Sequence, residues 1–320
     1  LSLSGAGAVA LTNNRIGTAV LGRILNADVA TTAGAIDVDA VTNSRITAFT
    51  NAAAVSVSVS GTMAFALSGA GARATNTLTG STTAAVAGNG TLVTPGSFTV
   101  DAVDSSMITS QVAAVAISVS VSGTISGGLA VAITRAENII GGSTTATIDG
   151  AKVTSGGREF RVAALYNATI ESTGVAAAMS LGGSSAGAVN ISAAGAFLVN
   201  TMSNRVEASV KGAADVTAAE QVSLLARDLS EIAATVVAAA LSFSGSGGLS
   251  VSLSLALSQA RNAYGTTVVA LVDASKIATA GGNISITALS DADVRATSVA
   301  VSVAISAAGG ASIALAGAGA

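Results

Sequence analysis

The chain of 320 residues has no cysteine, no histidine and no tryptophan, and it contains one proline, two tyrosines and six phenylalanines. Each absence excludes something. Without cysteine there are no disulfides, and without cysteine and histidine most zinc, copper and haem sites are ruled out. The usual general base is missing too, so the many serines cannot form a Ser-His-Asp triad. With two tyrosines and no tryptophan, the aromatic girdles of a membrane β-barrel cannot be built. Charged residues make up 10% of the chain, the net charge is −3 and the pI is near 4.9. No basic patch is present, so nucleic acid is not expected as a partner. The first residue is Leu, no basic segment or signal peptide opens the chain, and the pattern is still in phase at Ala320. The chain is therefore expected to be a piece of something longer.

What the chain has instead is small residues in a strict order. Hydrophobic residues make up 50%, mostly Ala and Val, alongside 36 glycines. Such a composition suits a narrow interior with closely spaced backbones. The segment Ala54–Gly61 reads A-V-S-V-S-V-S-G, and Ala116–Gly123 reads A-I-S-V-S-V-S-G. In an extended strand this alternation puts valines on one face and serines on the other. The two copies are 123 − 61 = 62 residues apart.

That step recurs throughout. Asn14, Asn76, Asn138, Asn200 and Asn262 are 62 apart, as are Ile24, Val86, Ile148, Val210 and Val272. Further columns start at Ile36, Val38, Ala40, Ile46 and Leu67, and all stay apolar without a gap. Five copies of 62 account for 310 of the 320 residues. The expected fold is all-β, a single parallel β-solenoid built from five 62-residue repeats, whose units contact only their neighbours. The repeats fall at 14–75, 76–137, 138–199, 200–261 and 262–320, with 1–13 ending a preceding repeat.

Within the third copy, Leu129–Thr134, Thr144–Asp149, Glu159–Leu165 and Val175–Leu181 read as strands. A polar corner is expected at Asn138–Ser143, with turns at Gly150, Gly156–Gly157, Asn167 and Gly182–Gly183. Ala218–Leu241, rich in Ala and Leu, reads as a helix in isolation. Its counterparts are β-branched, and copies of one unit share one fold, so it is taken as strand. Solenoid coils of the usual length would put two or three coils in each unit, and a weak half-repeat between Ala136–Ile140 and Leu165–Ile170 favours two. Ten coils at ~4.8 Å would make a rod roughly 50 Å long.

Charge is unevenly spread. Windows 46–72, 105–134, 172–204, 232–260 and 296–320 contain no Asp, Glu, Lys or Arg. Each is long enough for a membrane helix, but the alternating Ser and the turn glycines fit strands better, and no membrane span is expected. The windows are expected to form a neutral strip, buried inside the solenoid or against another copy.

The asparagine column is read as a structural turn column, since Asn tolerates left-handed backbone and bonds its own chain. If each unit were one coil, the amides could also bond one another along the axis. The carboxylate pairs Asp37/Asp39 and Asp291/Asp293 are not kept between copies: Asp39 is matched by Asp101, then Ala163, Leu225 and Thr287. They read as solvated turn charge rather than as an acid–base or calcium site. Glycine runs such as Ser68–Ala72 lack the lysine of a phosphate loop. No catalytic, metal or cofactor residue is expected, and no ice-binding T-x-T file is present.

The strings Ser56–Gly61, Ile148–Thr154 (I-D-G-A-K-V-T) and Gly282–Ala288 (G-N-I-S-I-T-A) resemble the long repeat tracts of giant bacterial surface and secreted proteins, filamentous-haemagglutinin-like and autotransporter-like adhesins among them. The resemblance implies an extracellular or cell-surface location, in a stalk, fibre or adhesin. The expected function is that of a structural rod or filament segment, not an enzyme, which self-associates through its uncharged strip. The alternatives are an adhesin stalk whose binding module lies elsewhere, with contacts to a cell surface or matrix, and, third, a polysaccharide-cleaving β-helix.

Overall fold

Alternating short side chains favour extended backbone, and the whole chain follows that preference. A computed structural model describes residues 1–320, all strand and turn with no helix. One coil consists of β1 (Ser2–Leu25), β2 (Val29–Ala30), β3 (Ile36–Thr42) and β4 (Arg45–Ser60). The next three coils repeat it as β5 (Met63–Ala87) to β8 (Met107–Ser122), β9 (Ile125–Asp149) to β12 (Thr169–Ser184), and β13 (Gly187–Lys211) to β16 (Glu231–Ser246). In the fifth, β17 (Leu249–Tyr264) and β18 (Thr267–Val272) share the long path, before β19 (Lys276–Thr279), β20 (Ile284–Ser290) and β21 (Asp293–Ala308). The last strand, β22 (Ala311–Gly319), starts a sixth row.

Equivalent strands stack in parallel into four sheets. The long sheet runs β1-β5-β9-β13-β17-β22, and the facing sheet runs β4-β8-β12-β16-β21. Between them come a corner sheet (β2, β6, β10, β14, β19) and a side sheet (β3, β7, β11, β15, β20). The architecture is that of a parallel β-solenoid.

The expected two coils per unit are overturned. Asn14 pairs with Asn76 and Asn76 with Asn138, so a step of 62 residues is one turn of the solenoid. The half-repeat joins the middle of β9 to the junction of β11 and β12, which lie in different sheets. The polar corner expected at Asn138–Ser143 is absent, because Ile125–Asp149 is one unbroken strand. Ala218–Leu241 is strand, as the other copies predict. The shape changes accordingly. A 25-residue strand spans ~80 Å, whereas five coils rise only ~24 Å, so the body is a slab rather than a rod.

Chain reversal at the end of the long sheet needs left-handed backbone. Asn26 (φ 48°), Gly88 (88°), Gly150 (77°), Gly212 (69°) and Ala274 (46°) all adopt it, each 62 residues from the last. Glycine and asparagine carry little penalty there. This is the turn column of the solenoid.

The interior grades along the slab. Where the long, corner and side sheets enclose a wide space, it is filled by large apolar groups, including Leu92, Ile148, Ile170 and the stacked rings of Phe98 and Phe160, with centroids 5.3 Å apart. Where only the long and facing sheets remain, the core is alanine: Ala72, Ala114, Ala132, Ala176, Ala238. Toward the thin edge it becomes serine, with Ser58, Ser118, Ser180, Ser242 and Ser252 all buried. Small side chains let two sheets close on each other until the chain turns back at Gly61–Thr62 and its equivalents. Of 234 backbone hydrogen bonds, 199 lie within strands, so the ladders supply the cohesion that disulfides would give elsewhere.

Candidate functional site

The charge-free windows of the sequence form one object. Each begins in the facing sheet or in the turn just before it, rounds the thin edge and ends within the long sheet, so together they make an uncharged wedge. All charged side chains belong to the wide half. There Arg161 pairs with Asp101 and lies 3.7 Å from Glu159, while Arg135 lies 3.6 Å from Glu137. Burial raises the Asp101 carboxyl above its usual range despite the Arg161 guanidinium.

The wedge is polar inside and apolar outside. In β4 the burial alternates residue by residue, with Ser56 and Ser58 at 4% and 1% exposure and Val55, Val57 and Val59 at 58%, 57% and 68%. The strip is therefore not wholly internal: its serines are, and its valines are not. The other coils follow, with Val121, Phe243, Val301, Val303 and Ile305 exposed on the facing sheet. The long sheet does the same on the opposite surface. The column Leu67, Leu129, Ile191, Leu253, Leu315 points outward, with Leu67 43% and Leu315 59% exposed. The columns starting at Ile24, Ile36, Val38 and Ile46 point inward. Two apolar surfaces thus lie back to back on one thin body.

The asparagine column runs down the inside of the long sheet. Asn14, Asn76, Asn138, Asn200 and Asn262 are not turn residues, since each sits inside a long strand, and this corrects the expectation from sequence. The one-coil unit stacks them directly. Asn14 Nδ2 donates to Asn76 Oδ1 at 2.8 Å, Asn76 to Asn138 at 2.8 Å, Asn138 to Asn200 at 2.8 Å and Asn200 to Asn262 at 2.9 Å. The amide also has a second N–H. In Asn76 Nδ2 also donates to Ser110 Oγ on the facing sheet, and in Asn200 to Ser172 Oγ. The column is a polar spine at the boundary between the large-residue core and the alanine core.

A second polar cluster escapes the periodicity. Asn190 accepts from Ser180 Oγ at 3.1 Å, donates to Ser244 Oγ at 3.0 Å, and its backbone carbonyl accepts from Ser242 Oγ. Its side chain fits because Gly182 lies opposite and Gly128 one coil before. A Cβ on Gly182 would meet Asn190 Nδ2 at 2.2 Å, and one on Gly128 would meet Asn190 Oδ1 at 2.4 Å. The column reads Ala66, Gly128, Asn190, Ser252, Ala314, and the facing one Ser58, Ser120, Gly182, Ser244, Ser306. That exchange of volume is visible in the sequence once the two columns are known to face each other.

Asp37 and Asp39 lie inside strand β3 rather than in a turn. Asp37 accepts from Thr99 Oγ1 at 2.7 Å, Asp39 stacks beside Asp101, and Asp293 is paired with Arg295. No group of three His, Cys, Asp or Glu side chains converges on one point. No helix is long and apolar enough to cross a membrane. No family model, no curated protein and no solved structure matches this chain.

Proposed function

We propose that this chain is a structural β-solenoid segment that assembles laterally with other copies of itself through the apolar faces of its wedge, in an extracellular or surface-attached fibre. One observation carries the reading: rows of Val, Leu, Ile and Phe stand exposed on both outer surfaces of a wedge whose interior is Ser and Ala. In a soluble domain the larger apolar groups belong inside. Here they are spent on the surface, where only contact with another apolar surface removes them from water.

The charged half supports the same reading. It keeps each slab hydrated along one border, so that assembly is confined to the wedge. A chain with neither histidine nor cysteine fits a mechanical role better than a catalytic one. The extracellular setting rests on the resemblance to surface-protein repeats.

The test is analytical ultracentrifugation and negative-stain electron microscopy of the purified chain across a concentration series. Concentration-dependent lateral association of slabs is expected. Single slabs that stay unassociated at ~100 μM would overturn the proposal.

A further inference from the structure

The long-sheet face of the wedge is corrugated along the solenoid axis. In the columns next to the outward leucines, β5 presents Gly69 and Gly71, β9 presents Val131 and Ile133, β13 presents Ala193 and Gly195, and β17 presents Leu255 and Leu257. Ridges therefore stand on the third and fifth rows, with grooves on the second and fourth. A hollow of about 540 Å³ runs from the third row to the sixth, with Val131, Ile133, Leu255 and Leu257 as its ridges, and the Phe197 ring lies over Gly195 at the end of the fourth-row groove. Ridge and groove alternate at a spacing of one coil, ~4.8 Å.

From this we infer that the long-sheet face is a self-complementary seam, which a second copy occupies with its coil order reversed about a two-fold axis along the strands. The inference rests on the self-association proposed above and names its geometry. Such an axis keeps each column opposite itself and exchanges row two with row five and row three with row four. Leu255 and Leu257 then enter the open groove at Gly69 and Gly71, while Val131 enters the groove at Ala193 and Ile133 packs on the Phe197 ring that lies over Gly195. All six rows of the long sheet overlap in this register.

Charge selects the same register. The column bordering the seam carries Arg73, Arg135, Phe197 and Gln259. Exchange of rows two and five faces Arg73 with Gln259, and exchange of rows three and four faces Arg135 with Phe197, where a guanidinium and a ring attract. Shifting the axis by one coil in either direction leaves only four of the six rows overlapping, and the shift toward β1 brings Arg73 against Arg135. The apolar band runs about nine residues along the strands and about six rows across, roughly 30 by 25 Å, near the ~800 Å² per partner of a standard interface.

The absence of native cysteine makes the test clean. Gly71 and Leu257 lie 257 − 71 = 186 residues, three rows, apart, ~14 Å within one chain, too far for an intrachain bridge. Across the two-fold axis they face each other. A Cβ at Gly71 meets nothing within 4 Å, so the side chain is accommodated. Treatment of the Gly71→Cys/Leu257→Cys variant with a bis-maleimide that spans the ~10 Å between two packed sheets is expected to give a covalent dimer on denaturing gels. The control Val57→Cys/Ile305→Cys, in the first and last rows of the facing sheet, which a two-fold axis on that sheet would bring together, is expected to stay uncrosslinked in that dimer. Leu255→Ser/Leu257→Ser should raise the dissociation constant at least ~100-fold with an unchanged circular dichroism spectrum. Association that survives these serines and crosslinks through the facing-sheet pair would overturn the seam while leaving self-association standing. A wild-type chain that stays monomeric, or that instead co-floats with phosphatidylcholine vesicles, would overturn both.

Discussion

Asn76 donates its side-chain amide to Asn138, 62 residues later in the chain, at 2.8 Å in a fully buried setting. The bond exists only because one repeat is one turn. Replacing Asn138 with Ala orphans the Asn76 donor on one side and the Asn200 acceptor on the other. At about 1–3 kcal/mol for each unpaired buried group, the variant should lose about 2–6 kcal/mol. Chemical denaturation measures it. The same change at Asn14, at the partly exposed end of the ladder, should cost less than half as much.

Asn190 and Gly182 form a matched pair of large and small. Gly182→Ser should clash with Asn190 and destabilise by about 1–3 kcal/mol. Asn190→Ser removes the obstacle and restores the serine-on-serine packing of neighbouring coils. The double variant should therefore recover most of the loss, with a coupling energy of about 1–3 kcal/mol in a double-mutant cycle. Additive losses would refute the pairing.

Ser120 is fully buried and its hydroxyl has no protein partner. Ser120→Ala removes an unpaired polar group without opening much space, so stability should stay level or rise by up to about 1 kcal/mol. Ser118→Ala is the contrast. Its hydroxyl donates to Ser180 Oγ at 3.0 Å, and its loss should be destabilising. Thermal melts of the two variants, side by side, decide the matter.

Asp104 sits at the corner between β7 (Phe98–Asp104) and β8. Burial raises its carboxyl above the usual range, although hydrogen bonds from the Ser106 hydroxyl and amide pull the other way. A raised folded value means that the acid form is favoured in the native state. Its contribution is fully present below the unfolded value near 4 and is lost as pH rises through the folded value. Asp104→Asn keeps an acceptor for Ser106 and removes the charge. It should be more stable than the wild type at pH 7 and equal to it at pH 3, as urea midpoints at the two pH values would show. Glu207 runs the opposite way. Burial raises it, but Arg205, Ser209 and Lys211 outweigh that and hold it low, so its contribution is lost as acid is added.

The fold was legible because the columns are so regular. Val55 and Ser56 alternate, Ile46 and Ile108 repeat, and both facts mean stacked strands whatever the coil length. Coil length itself was not legible from the half-repeat, since asparagines inside strands and asparagines at corners look alike in one dimension. The better signal was the column Asn26, Gly88, Gly150, Gly212, where asparagine gives way to glycine as left-handed backbone requires. The wedge could be outlined from its missing charges, but not oriented. V-S-V-S specifies two faces without saying which is inside, and the usual preference for apolar interiors points the wrong way at Val57 and Ser58. What decides is thickness: two sheets can close tightly over serine and alanine, and the larger side chains are left outside.

The corner sheet shows where such a chain can tolerate change. Elsewhere the vertical step is 62 residues, but here Val29 lies beside Leu92, 63 on, Thr91 beside Lys152, 61 on, Lys152 beside Asp215, 63 on, and Asp215 beside Lys276, 61 on. The slack appears and is taken back within a few residues, before the side sheet resumes its register. A residue inserted in a long strand would turn every later side chain of that strand to the wrong surface. A residue inserted at this corner only loosens a loop. The corner thus works as an expansion joint, which takes up a one-residue shift between neighbouring coils while their faces stay in phase.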